Sequence, residues 1–129
     1  MAEVVAEYQR RRDFLVAGLN AIRYTGATPV LADVTSEQDL TISVQDVEAK
    51  ITPRTKAVMV MHYGGYPCDM DAVRSLAAEN GLFVVEDAAH APGATHGGTM
   101  AGCLGDVAAF SFFSNKNLAT GEGGMVTTA

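Results

Sequence analysis

The sequence predicts an α/β fold with a mostly parallel sheet and flanking helices, and three observations carry that prediction. Strand-like runs alternate with helix-like ones, as in βαβ units with right-handed crossovers. The run AVMVMH, 57–62, is apolar without alternation, as expected of a parallel strand covered on both faces. The run LFVVED, 82–87, is equally unbroken until two acids end it.

The elements follow in order. Glu3 to Ile22 reads as a helix, because Val4, Tyr8, Leu15, Leu19 and Ile22 recur at three- and four-residue steps around a polar patch at 9–13. Gly26 stops it, and Pro29 opens a strand, PVLADV, that ends at Val34. After a polar loop, Ser43 is expected to cap the next helix, with Asp46 completing a capping box. Thr52-Pro53 closes that helix, since proline disfavours helical backbone in the residue before it. The strand 57–62 leads into a glycine- and proline-bearing loop, 63–68. Asp69 then caps the helix MDAVRSLAAEN, and Gly81 ends it. Beyond the strand 82–87, a long loop of small residues, 88–105, has room for a short extended piece. DVAAFSFF, 106–113, and GMVTT, 124–128, are the remaining strands.

Composition narrows the function. With 48% hydrophobic and 19% charged residues among 129, the chain is globular and of one-domain size. A formal charge of −6 argues against nucleic acid or an anionic membrane as partner. No apolar run approaches the roughly 20 residues of a membrane span, and the charged start is no signal peptide, so a cytoplasmic location is expected. Cys68 and Cys103 form no Cys-x-x-Cys pair; they read as two free thiols, with a single disulfide as the alternative. His62, His90 and His96 have no ligand-like spacing with them, so no metal site is expected.

Parallel sheets bind ligands outside the carboxyl ends of their strands. Asp87 ends one strand, His90 lies three residues beyond, and His62 ends another. Ser111, Ser114, Asn115 and Lys116 sit at or past the end of AAFSFF. Carboxylate, imidazole, hydroxyls and amine are therefore expected on one rim. Taken singly, each has a plainer reading: Asp87 as a loop acid, Lys116 as a solvated lysine, His90 as a structural histidine. The loop GEGG, 121–124, alone makes no phosphate cradle, and no nucleotide-binding fingerprint is present. Together they suggest more. A lysine in a partly dry site loses its proton more readily and becomes a nucleophile toward carbonyls, pyridoxal phosphate included. That cofactor also wants a carboxylate at its pyridine nitrogen and hydroxyls at its phosphate. Asp87, Ser111 and Lys116 fit those roles in type, as they would in many α/β enzymes.

Two longer stretches, VVEDAAHAPGA at 84–94 and GDVAAFSFFSNKNLATGEGG at 105–124, resemble the pyridoxal-phosphate-dependent sugar aminotransferases of the DegT/DnrJ/EryC1/StrS family. NAIRYTGATPVLADV (20–34), ITPRTKAV (51–58) and HYGGYPCDMD (62–71) are similar to that family's successive blocks, in order. The resemblance implies a partial fold type I large domain over 15–129, preceded by an unmatched helical segment, 1–14. It implies that Lys116 forms the Schiff base and moves the proton, that Asp87 pairs with the pyridine nitrogen, that Ser111 binds the phosphate and that His90 lies beside the ring. The implied substrates are a nucleotide-linked keto-sugar and an amino-acid donor, usually glutamate, and family members are homodimers. A dehydratase branch with histidine in place of the lysine is disfavoured by Lys116.

Family members also carry an earlier cofactor-phosphate loop and a small C-terminal domain, neither matched here. The chain is therefore expected to expose an apolar sheet face and to bind the cofactor weakly or not at all. The alternative function is a non-catalytic fragment or partner-binding module of the same fold. A sulfur-transferring enzyme of that fold is a third reading, with Cys68 or Cys103 as the persulfide carrier. Which sugar, ring carbon or donor is used is not legible in these residues.

Overall fold

The computed structural model describes residues 19–128. The chain divides into two compact units, Met1–Leu31 and Ala32–Ala129. In the first unit residues 19–24 are helical, and the Gly26 amide donates to the Arg23 carbonyl (3.0 Å) to close that end. The rest of the helix predicted over Glu3 to Ile22 lies outside the described residues, as does the boundary predicted at residue 14.

In the second unit the elements are α1 (Val44–Lys50), β1 (Ala57–Met61), a 3-10 turn (Tyr63–Gly65), α2 (Met70–Asn80), β2 (Phe83–Asp87), β3 (Thr95–His96), β4 (Thr99–Met100), β5 (Val107–Ser111) and β6 (Gly124–Thr128). The main sheet has the order β1-β2-β5-β6. Its first three strands run parallel, and β6 runs antiparallel to β5. β3 and β4 form a separate two-stranded hairpin inside the long loop, the short extended piece expected there.

Strand periodicity explains which side is covered. Val58, Val60, Val84, Glu86 and Ala108 are buried and point to one face, because register pairs Val58 with Val84, Val60 with Glu86 and Glu86 with Ala108. Val58, Val60 and Val84 join one core with Val47 of α1 and with Met70, Val73, Leu76 and Ala77 of α2. The other face is open. Met59 and Met61 remain exposed, and Phe83 and Val126 are 66% and 68% exposed. The expectation of strands covered on both faces is thus corrected: only alternate residues of AVMVM and FVVED are buried. Apolar composition on the second face records a surface that would be more stable covered, and does not itself supply the cover.

The caps show how short-range chemistry ends the helices. Asp69 Oδ1 accepts the Ala72 amide (3.1 Å) at the start of α2. Gly81 ends it at φ 62°, a left-handed backbone that costs glycine nothing. Ser43 Oγ accepts the Asp46 amide (3.3 Å) at the start of α1, as expected. The reciprocal half of the capping box does not form. Asp46 instead binds Lys50 (2.5 Å) and accepts the Asp33 amide (2.7 Å), and these two bonds hold its carboxyl below the ordinary range.

The strand predicted over PVLADV is absent. Residues 29–33 have no ladder partner among the described residues, and Val34 makes only an isolated bridge to Ile42. The Asp33 backbone is satisfied locally, its amide by Asp46 (2.7 Å) and its carbonyl by the Ser43 amide (2.9 Å), and without a ladder neighbour propensity alone makes no strand.

Candidate active site

Three loops meet the carboxyl ends of β1, β2 and β5, and they carry the predicted residues. Asp87 is the last residue of β2 and partly buried. Register sets Met61, Asp87, Ala109 and Val126 in one cross-strand row, so Asp87 projects on the open face. Its Oδ1 accepts the Ala89 amide (3.0 Å), which fixes one carboxylate oxygen. Ser111 lies two residues past Ala109 and therefore on the same face, one step toward the rim. Its hydroxyl also accepts the Phe113 amide (3.4 Å).

Lys116 sits in the loop joining β5 to β6. That loop is closed at its base by Phe112 N–H to Gly123 O (2.8 Å) and Thr120 N–H to Phe112 O (2.9 Å). Within it the Lys116 amide donates to the Phe113 carbonyl (2.9 Å), a tight turn that leaves the side chain partly buried. The next residue, Asn117, donates through Nδ2 to the His90 carbonyl (3.2 Å), tying the lysine loop to the loop after β2. His90 in turn meets the Tyr63 ring edge to face, centroids 6.4 Å apart at 66°. Asn117 and Tyr63 escaped the sequence reading. Nothing local marks Asn117, whose contact spans 27 positions, whereas Tyr63 follows a strand end and was findable by the rule that found Asp87.

The expectation that His62 joins this rim is corrected. His62 is fully buried on the helix-covered side, with Nε2 2.9 Å from Glu86 Oε2. The Cys68 amide reaches His62 Nδ1 (3.2 Å). An amide can only donate, so Nδ1 is the bare nitrogen and Nε2 carries the proton that Glu86 accepts. Glu86 further accepts the amides of Gly102 (2.7 Å), Leu104 (2.8 Å) and Gly105 (2.6 Å). Burial pushes its pKa up, but His62 and these amides outweigh it and hold the carboxyl below the ordinary range. Glu86 was also missed, although the signal existed: adjacent acids in one strand must face opposite ways.

Both cysteines are free, Cys68 buried and Cys103 exposed. Burial pushes the Cys68 thiol up, and its Sγ donates to the Met61 carbonyl (3.2 Å). A buried thiol held protonated is a poor sulfur carrier, which weakens Cys68 as the persulfide residue of the sulfur-transfer reading.

The fold defines the class. This is a partial fold type I domain of the pyridoxal-phosphate-dependent aminotransferases. The solved aminotransferase from Psychrobacter cryohalolentis superposes with TM-score 0.83 at 41% identity, covering 88% of this chain and 29% of that one. The chain belongs to the DegT/DnrJ/EryC1/StrS aminotransferase family, whose model matches residues 14–129. It is 57% identical over 109 residues to the spore coat polysaccharide biosynthesis protein SpsC of Bacillus subtilis, covering 84% of this chain and 28% of that protein. It is 50% identical over 113 residues to GDP-perosamine synthase of Escherichia coli O157:H7, covering 88% and 31%. The chain thus spans less than a third of the length of these relatives.

Proposed function

We propose that this chain supplies the cofactor-bearing part of a pyridoxal-phosphate-dependent aminotransferase that transfers an amino group, usually from glutamate, to a nucleotide-linked keto-sugar. The observation that carries the reading is the placement of Asp87 and Ser111 on one open face, beside the loops of His90 and Lys116. The donor set fits the cofactor in type: a carboxylate with one oxygen fixed by an amide and a hydroxyl on the strands, with an imidazole and a primary amine in loops that follow them. The names of the relatives, one of them a synthase of a GDP-linked sugar, support the substrate class.

When bound, pyridoxal phosphate supplies an electron sink conjugated to the substrate carbon that loses or gains a proton. Asp87 would be the carboxylate that meets the protonated ring nitrogen, with Oδ1 already engaged by the Ala89 amide. Ser111 donates its hydroxyl to the phosphate. His90, held by Tyr63 and Asn117, would lie beside the ring and would help keep water from it. Lys116 would be the residue whose amine holds the cofactor, and it would carry the proton to and from the substrate carbon. A homodimer in the cytoplasm completes the proposal.

Borohydride reduction in the presence of pyridoxal phosphate, followed by peptide mass mapping, tests it. A pyridoxyl adduct on Lys116 is the expected result. An unmodified Lys116 would favour the alternative, a non-catalytic module of this fold.

A further inference from the structure

Glu86 is more elaborately held than a core residue requires. It is fully buried, and its two oxygens accept four donors from two directions. Oε2 takes His62 Nε2, from the end of β1, together with the Gly102 amide. Oε1 takes the amides of Leu104 and Gly105, from the segment that leads into β5. A buried carboxylate is a poor stabiliser relative to an apolar side chain of the same size, because desolvation offsets what its bonds return. What so many directed bonds do supply is orientation.

The residue so oriented is its neighbour. Glu86 and Asp87 are consecutive in β2 and project to opposite faces. Asp87 is the strand's last residue, where ladder bonds run out: His62 N–H to Asp87 O (3.1 Å) and Ala88 N–H to Ala109 O (2.9 Å) complete the pairing. A strand end can twist about its own axis, and any such twist swings both carboxylates together. Anchoring one therefore fixes the other. The same four bonds also join the segments leading to Tyr63 and to Ser111, so the rim is braced from beneath.

We propose that Glu86, clamped by His62 and the 102–105 amides, is the positioning residue that sets the direction of the Asp87 carboxylate. The idea rests on the reading of Asp87 as the carboxylate that meets the cofactor nitrogen. It adds that this direction is decided on the opposite side of the sheet.

The test compares Glu86→Gln, His62→Leu and His62→Gln with the unaltered chain by amide hydrogen exchange. The readout is Ala89, whose N–H is held by Asp87 Oδ1, against Val60 and Val73 in the core. In Glu86→Gln the Ala89 amide is expected to exchange at least about tenfold faster than any change at Val60 and Val73 accounts for. His62→Leu, which leaves the three amide donors in place, moves it the same way by less, and His62→Gln, whose amide can still donate to Glu86, restores protection. Should Glu86→Gln fail to fold, the two His62 variants carry the comparison. Ala89 changing only in step with the core, in every variant that folds, overturns the proposal and leaves Glu86 a structural residue.

A second arm adds pyridoxal phosphate labelled with 15N in the ring. A smaller protonated fraction in Glu86→Gln supports the proposal, and an unaltered fraction opposes it. If the unaltered chain takes up no pyridoxal phosphate, the functional reading fails, while the exchange arm still decides the positioning role.

Discussion

Asp87 and Glu86 show how two like residues, side by side, take different work from their surroundings. Asp87 has one amide partner, from Ala89, and lies on the open face. A carboxylate meeting a protonated ring nitrogen makes a charge-assisted bond worth about 1.5–3 kcal/mol, or roughly 10- to 150-fold in binding. Asp87→Asn is therefore expected to weaken pyridoxal phosphate binding by that factor in an absorbance titration, and equal affinity would remove Asp87 from the site. Glu86 makes its case through acid stability. Its folded pKa is depressed by His62 and the amides, so the stability it contributes is complete above the unfolded carboxyl's ordinary pKa. That stability is lost as pH falls from there through the lower, folded value. Urea unfolding at pH 7 and at pH 4 should show a steeper acid loss in the unaltered chain than in Glu86→Gln. Parallel pH profiles for the two would contradict that assignment.

Among the elements, α2 is the clearest case of a local sequence writing its own limits. Asp69 satisfies an amide at one end, Gly81 turns the chain at the other, and Met70, Val73, Leu76 and Ala77 fall on the buried stripe between. Asp69→Ala should cost about 1 kcal/mol, the usual value of a lost cap. Met70 is fully buried, and Met70→Ala should cost about 2–5 kcal/mol through lost transfer and an unfilled cavity. Denaturant midpoints of the single variants check both values, and because the residues are chain neighbours the double variant is expected to depart from their sum. Gly105 tests packing in place of capping. A Cβ there would lie 2.8 Å from the Val84 carbonyl oxygen, a backbone atom that cannot step aside. Gly105→Ala should destabilise by about 1–3 kcal/mol and disturb an amide that Glu86 uses, whereas an unchanged melting curve would show that the loop has room.

At the scale of the whole molecule the sheet has one finished face and one unfinished one. Helices α1 and α2 cover the first, while Met59, Met61, Phe83 and Val126 leave the second apolar and exposed. Surfaces of that kind drive association by removing apolar area from water. The chain by itself is expected to sediment with a concentration-dependent mass, and Phe83→Lys to shift it toward the monomer without altering the Asp87 row. A concentration-independent mass would show the face to be tolerated in water. Among the described residues no helix is long and apolar enough to cross a membrane.

What the sequence by itself determined is local. Strand–helix alternation, the caps at Ser43, Asp69 and Gly81, and the strand-end placement of Asp87 follow from residue chemistry acting over a few positions. Family membership was legible for the same reason, since its motifs are contiguous runs. Only the tertiary structure decided the rest. PVLADV has strand composition but no ladder partner among the described residues, His62 turns to the buried side because Glu86 waits there, and Asn117 finds His90 from 27 positions away. Hydrogen bonds and burial between distant segments depend on which chains lie alongside, and a propensity cannot encode a neighbour.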